Sequence, residues 1–146
     1  MIYFFDTSAL MKRYVQEKGS RLVDNLMASA DEIYISVITR IESISAARRL
    51  LEEKSLRKSD FNLFKVNLAS DFPFFTVVDF SEYIEKAAIK LIEKYQIKTL
   101  DAIQLTCCLA VKEKIDHFVT SDVKLAKTAL DIGIDTINPL ESKGPL

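Results

Sequence analysis

Ile2-Tyr3-Phe4-Phe5-Asp6-Thr7-Ser8-Ala9-Leu10 sets four large apolar residues in a row and follows them at once with a carboxylate. An unbroken apolar run of this length is the pattern of a strand buried on both faces, as in the middle of a parallel sheet. Thr7 and Ser8 can cap a helix running through Ala9, Leu10 and Tyr14, which leaves Asp6 at the exit of a buried strand with no capping duty. A carboxylate there is poor core chemistry and a good place for a site.

Outward from this stretch the chain alternates short strands with helical patterns. Glu17-Lys18-Gly19-Ser20 is a stop followed by an N-cap, and a helix over 21–30 places Leu22, Leu26 and Met27 on one face. Ile33-Tyr34-Ile35 is a second strand, and from Ser36 a longer helix has Ile38, Ile41, Ile44 and Leu51 as its expected buried stripe. Ser59 can cap a helix containing Phe61, Phe64 and Leu68, and a third strand over 74–78 has Pro73 at its entrance. Ser81 opens a helix whose inner side carries Ile84, Ala88, Leu91, Ile92 and Tyr95. Thr99 is the expected cap of a helix with Asp101 in its first turn and Ile103, Cys107 and Ala110 buried. A fourth strand, His117-Phe118-Val119-Thr120, ends at Ser121-Asp122; a helix over 123–132 stops at Gly133, and residues 135–138 make a short fifth strand. The pattern predicts one domain over residues 1–146, with a tail from about 139. Its fold class is α/β, a three-layer arrangement with a central, mainly parallel sheet of about five short strands flanked by helices.

Composition removes several classes of function. Three glycines leave no phosphate-binding loop and no dinucleotide fingerprint. A net charge of −1 excludes a generally basic nucleic-acid binder, though not local basic patches. Cys107 and Cys108 are adjacent in a helical pattern and point about 100° apart, which suits neither a disulfide framework nor a metal knuckle and fits a reducing, cytoplasmic setting. No apolar run approaches the ~18 residues of a membrane span, and no membrane partner is expected. The sole histidine, His117, starts the fourth strand while Asp122 follows its end; at about 3.3 Å per residue that separates them by more than about 10 Å and denies a Ser-His-Asp triad its base.

Four acids are expected on one edge of the sheet. In a parallel α/β unit, strand carboxyl ends and the starts of the helices that lead away share that edge. Asp6 follows strand one, Asp122 follows strand four, Glu42 lies about two turns into the helix after strand two, and Asp101 opens the helix leading into strand four. Each alone could be an ordinary helix-start or surface acid. Together they would repel one another, and a divalent cation offsets both that repulsion and the cost of burial. All-oxygen ligands favour Mg²⁺ or Mn²⁺, ions that bind phosphates and activate water for phosphodiester hydrolysis. Lys12, Arg13, Arg40, Arg48, Arg49, Lys98 and Lys124 fall mostly near the same edge and are candidates to hold RNA phosphates, Arg40 and Lys98 foremost.

The residues carry a family resemblance in four places. Phe5-Asp6-Thr7-Ser8-Ala9-Leu10-Met11-Lys12-Arg13-Tyr14 resembles the opening motif of PIN-domain nucleases, particularly the VapC toxins of type II toxin–antitoxin systems. Ser36-Val37-Ile38-Thr39-Arg40-Ile41-Glu42 resembles the second motif, Lys98-Thr99-Leu100-Asp101-Ala102-Ile103 the third, and Phe118-Val119-Thr120-Ser121-Asp122 the fourth. The four occur in the right order over nearly the whole chain. The resemblance implies a Mg²⁺- or Mn²⁺-dependent endoribonuclease with Asp6, Glu42, Asp101 and Asp122 as catalytic metal ligands, and with Thr7, Ser8 and Thr120 in support. It further implies a homodimer and an inhibiting antitoxin partner. Gln104 departs from the pattern, standing where relatives often carry His, and is expected to affect RNA contacts or packing rather than the quartet.

Other functions compete with this one. A phosphotransferase could use Asp6 as a nucleophile, but haloacid-dehalogenase-type enzymes place a second Asp two residues later, where this chain has Ser8. An RNA-processing PIN nuclease that is not a toxin, or a non-catalytic metal- or RNA-binding module, would keep the same fold.

Overall fold

The computed structural model describes residues 1–141. Strand β1 (Ile2–Phe5) leads into a one-turn helix α1 (Thr7–Leu10) that tightens into a 3₁₀ turn (Met11–Arg13). Then come α2 (Ser20–Ser29), β2 (Glu32–Ser36), α3 (Thr39–Glu52), α4 (Lys58–Asp71), β3 (Phe75–Val78), α5 (Glu82–Tyr95), α6 (Thr99–Ala110), β4 (His117–Val119), α7 (Val123–Asp131) and β5 (Thr136–Ile137). The five strands form one sheet in the order β3-β2-β1-β4-β5, and every pairing is parallel.

β1 is the centre of that sheet. Phe4 pairs in register with Tyr34 on one side and Phe118 on the other. Successive strand side chains point to opposite faces, so Phe4 enters the layer formed with α5, α6 and α7, while Tyr3 and Phe5 enter the layer containing Leu10 and Val23. Both layers exclude water: Phe4 and Phe5 are each fully buried. A smaller cluster of Met11, Ala47, Phe64 and Leu68 ties α3 and α4 to the turn after α1. From β1 the sheet grows outward to β2 and β3, then resumes on β1's other side with β4 and β5. Strand order reverses at β1/β4, where open parallel sheets leave a crevice at the carboxyl ends.

Several expectations are corrected by packing. Asp6 caps α1 itself, its carboxylate accepting from the Ala9 N–H, so it does carry the capping role assigned above to Thr7 and Ser8. The buried face of α3 is Thr39, Ser43 and Ala47, whereas Ile41 is 73% exposed; small residues let the helix sit close to its neighbours, and periodicity of large apolar residues does not register them. Lys98, not Thr99, occupies the N-cap position of α6, and Arg57, not Ser59, that of α4. Ala110 is exposed, and the buried side of α6 includes Ala102, Leu105 and Cys108. Pro139 is buried against Gly19, whose left-handed backbone (φ +92°) brings its α-carbon so close that a Cβ there would stand 3.0 Å from the proline ring. The expected tail is therefore packed where it starts, and its remainder beyond Glu141 lies outside the described residues.

Candidate active site

A cavity of about 470 Å³ opens at the carboxyl edge of the sheet, and Asp6, Glu42, Asp101 and Asp122 all line it. The four acids come from the end of β1, from α3, from the first turn of α6 and from the start of α7. Among the described residues none of the four is in an ion pair.

Asp6 is the most deeply set, at 4% exposure. Its Oδ2 accepts the Thr120 hydroxyl at 2.7 Å; Oδ1 accepts the Ser8 hydroxyl at 2.8 Å and the Ala9 N–H at 3.0 Å. Burial pushes its carboxyl up to about 6, against the pull of those three donors, with the Asp122 charge adding a smaller push. Thr120 and Ser8 also knit the two strand ends together. The Thr120 hydroxyl oxygen accepts the Asp122 N–H at 3.1 Å, and the Ser8 hydroxyl oxygen accepts the Ser121 N–H at 3.0 Å.

Asp122 caps α7 with Oδ1, accepting from the Leu125 N–H at 2.9 Å. Glu42 is oriented by side chains alone: its Oε1 accepts the Thr7 hydroxyl at 2.8 Å and Gln104 Nε2 at 2.7 Å. Asp101 is half-buried and, among the described residues, its carboxylate accepts no hydrogen bond. Burial raises its affinity for a proton, the charges of Asp122 and Glu42 raise it further, and Lys98 and Lys124 oppose both.

The donor set fits a hard divalent cation: oxygen ligands only, with mutual repulsion between acids that Lys98 and Lys124 offset only in part. The fit lies in chemistry rather than in a preassembled cage. No three acidic, histidine or cysteine side chains among the described residues already stand close enough to hold an ion.

The basic candidates separate sharply. Lys98 is exposed, and with Lys124 it borders a second cavity of about 240 Å³ that shares Asp101 and Asp122 with the first. Lys124 is steadied by donating to the Gln96 carbonyl at 3.1 Å. Arg40 is exposed and stacks over Phe72, 4.7 Å from the ring centre. Lys12 is buried and bonded to Glu17 at 2.9 Å, and Arg13 turns away from the cavity to pair with Asp71 at 3.2 Å and Asp24 at 3.6 Å. Arg48 is held by Glu52. Arg49 lines the acidic cavity.

Two features escaped sequence reasoning. Gln104 is tied directly to Glu42 and is not a matter of packing or RNA contact alone. Thr39, fully buried, accepts from the same amide at 3.0 Å. A long amide side chain inside the otherwise mostly apolar stretch Ala102–Leu109, where Thr106 is the other polar residue, was a signal for the first. For the second there was none.

A parallel sheet with an acidic crevice at its strand-order switch defines a class of α/β proteins whose chemistry sits at strand ends. The PIN domain model matches residues 3–130, and the chain belongs to the PIN-domain family. That family comprises nucleases, hydrolases acting on nucleic acid that generally use divalent metal ions. Among solved structures, FitAcB from Neisseria gonorrhoeae superposes with a TM-score of 0.73 at 18% identity, covering 97% of this chain and 100% of that one. VapC20 of Mycobacterium tuberculosis, described as a sarcin–ricin loop cleaving toxin, gives 0.66 at 15% identity over 94% and 99% of the two chains. A toxin–antitoxin complex from Klebsiella pneumoniae gives 0.64 at 20% identity over 94% and 97%. These likenesses establish the fold. By sequence, no curated protein matches.

Proposed function

We propose that this chain is a divalent-metal-dependent endoribonuclease and the toxin of a toxin–antitoxin pair. The observation that carries the nuclease reading is the meeting of Asp6, Glu42, Asp101 and Asp122, from four separate segments, around one cavity, none of the four held in an ion pair among the described residues. These four residues would hold Mg²⁺ or Mn²⁺. When bound, the ion supplies activation of water and stabilisation of charge on the phosphate.

The chain's own residues divide the remaining work. Thr120, Ser8 and the Ala9 N–H hold Asp6 in one orientation. Asp122 is fixed by its cap, which leaves its second oxygen for the cavity. Asp101 has no such tether and can adjust as charge enters the site. Lys98 and Lys124, which border a cavity with Asp101 and Asp122, would receive phosphates of an RNA strand leaving the acidic cavity, and Arg40 would add a contact on the α3 side. Lys12 and Arg13 fit RNA binding poorly, since each is already paired.

The toxin reading is supported by the structural neighbours described as toxins and toxin–antitoxin complexes. It brings an antitoxin as partner, a homodimer as the assembly and the cytoplasm as the place of action. No described helix is long and apolar enough to cross a membrane.

The test is cleavage of single-stranded and loop-containing RNA by purified protein with Mg²⁺, Mn²⁺ or excess EDTA. Activity should need the metal and vanish in Asp6→Asn and Asp101→Asn. Undiminished cleavage in EDTA, or full activity of either variant, contradicts the mechanism. Expression alone should slow growth and a co-expressed antitoxin should relieve it; normal growth with a demonstrably active enzyme would make this a processing nuclease instead.

A further inference from the structure

Three of the four acids differ from the fourth in how they are held. Asp6 and Asp122 are short side chains at strand exits, each fixed by a backbone N–H of its own helix start. Asp101 is untethered. Glu42 projects from the side of a helix on a longer, more mobile stem, and only side chains from other segments orient it.

Gln104 is the centre of that arrangement. At 2% exposure, its Nε2 lies 2.7 Å from Glu42 Oε1, 2.9 Å from Thr7 Oγ1 and 3.0 Å from Thr39 Oγ1. One amide therefore links α6, α3 and α1. The Thr7 hydroxyl spends its only proton on Glu42, so it accepts from the amide and passes the same restraint on.

The other end of the amide shows which interaction dominates. Gln104 Oε1 is buried and has no hydrogen-bond partner. Turning the amide over would offer that oxygen to the Thr39 hydroxyl, but would set a carbonyl against the Glu42 carboxylate at hydrogen-bond distance and against a Thr7 oxygen whose proton is already given to Glu42. The observed orientation leaves a buried acceptor unsatisfied to keep a charge-assisted bond to Glu42.

We propose that Gln104 is a positioning residue that clamps the Glu42 carboxylate toward the cavity for metal binding, acting both directly and through Thr7. The proposal rests on the four-carboxylate reading of the site. Groups that orient metal ligands from outside typically change metal affinity or activity by roughly 10–100-fold when removed. Gln104 itself is buried, so it does not hold RNA, and its loss should leave KM alone.

The experiment compares wild type with Gln104→Leu, Gln104→His and Glu42→Gln, reading Mn²⁺ affinity by calorimetry, kcat and KM on a fixed RNA, and melting without metal. Gln104→Leu keeps the volume and removes the amide; it should bind Mn²⁺ at least tenfold more weakly and lose kcat to a similar degree with KM unchanged. Gln104→His, which returns an N–H near Glu42, should recover part of both. If Gln104→Leu does not fold, the unbranched Gln104→Met makes the same comparison, with metal-free melting as the control for structural damage. Wild-type metal affinity and kcat in the Leu or Met variant, while Glu42→Gln loses both, overturns the clamp and leaves the four-carboxylate reading standing. If Glu42→Gln itself keeps both, Glu42 is no ligand, and the clamp falls together with that reading.

Discussion

The Thr120 hydroxyl, just past the end of β4, donates to Asp6 Oδ2 at 2.7 Å while its oxygen accepts the Asp122 N–H at 3.1 Å. One hydroxyl thus positions two acids from neighbouring strands, and it does so with no exposure to solvent. Thr120→Val keeps the β-branched shape and removes the hydroxyl. It would leave Asp6 Oδ2 buried without that donor, which costs about 1–3 kcal/mol. Urea denaturation of the chelated protein should show that loss, and metal-dependent cleavage should fall as well. Unchanged stability would mean that water or another side chain replaces the hydroxyl.

The Asp6 carboxyl gives a pH dependence with a definite sign. Its folded value is raised to about 6 from an ordinary 3.8, so in this window the folded protein binds more protons than the unfolded chain. That arrangement favours the folded state when Asp6 is protonated. Its contribution is lost as pH rises from about 4 through about 6, by on the order of 3 kcal/mol. Because other acids titrate nearby, the measurement is the difference between wild type and Asp6→Asn. In chelator, the stability of Asp6→Asn relative to wild type should increase across this window and level off above it. A difference that stays flat with pH would show that Asp6 is not desolvated as described.

Much of this was legible in the sequence because the informative residues are local. The run Ile2–Phe5 can only be a doubly buried strand, and a carboxylate directly behind it must stand at the sheet's edge. Asp122 after Val119 and Asp101 at the head of α6 follow the same logic. What the pattern did not show was pairwise. The Lys12–Glu17 bond depends on how the 3₁₀ turn folds back, and the Arg13–Asp71 pair joins residues 58 positions apart. The small buried face of α3 hid behind Ile41, an apolar residue that is exposed. The capping role of Asp6 was misassigned because Thr7 and Ser8 are equally good caps in sequence, and only the backbone turn decides among the three.

The basic residues sort into contacts and structural pairs by a salt test. Affinity for a single strand falls with log salt at a slope of roughly 0.7 per neutralised phosphate. With an inactive Asp101→Asn background and uncut RNA, Lys98→Ala and Lys124→Ala should each reduce that slope by about 0.7. Arg13→Ala should leave it unchanged, because its guanidinium faces Asp71 and Asp24 rather than the cavity. Equal effects from all three would place the RNA path elsewhere.

Asp122 combines a cap with a cavity-facing oxygen, and the two roles separate chemically. Asn caps about as well as Asp, so Asp122→Asn should melt close to wild type in chelator, whereas Asp122→Ala should lose about 1 kcal/mol. Both should lose metal-dependent activity. A fully active Asp122→Asn would reduce this residue to its capping bond with Leu125.

The most direct test of the carboxylate site needs no substrate. Saturating Mn²⁺ at about 100 times its dissociation constant should stabilise the folded protein by roughly 2.7 kcal/mol, a melting shift on the order of 5–10 °C for a chain of this size. Asp101 bears on this most sharply, since it has no hydrogen bond to lose and feels the charges of Asp122 and Glu42. Asp101→Asn in chelator should therefore melt at or above wild type, and its response to Mn²⁺ should be largely abolished. Equal Mn²⁺ shifts in wild type and Asp101→Asn would contradict a metal site built from these four acids.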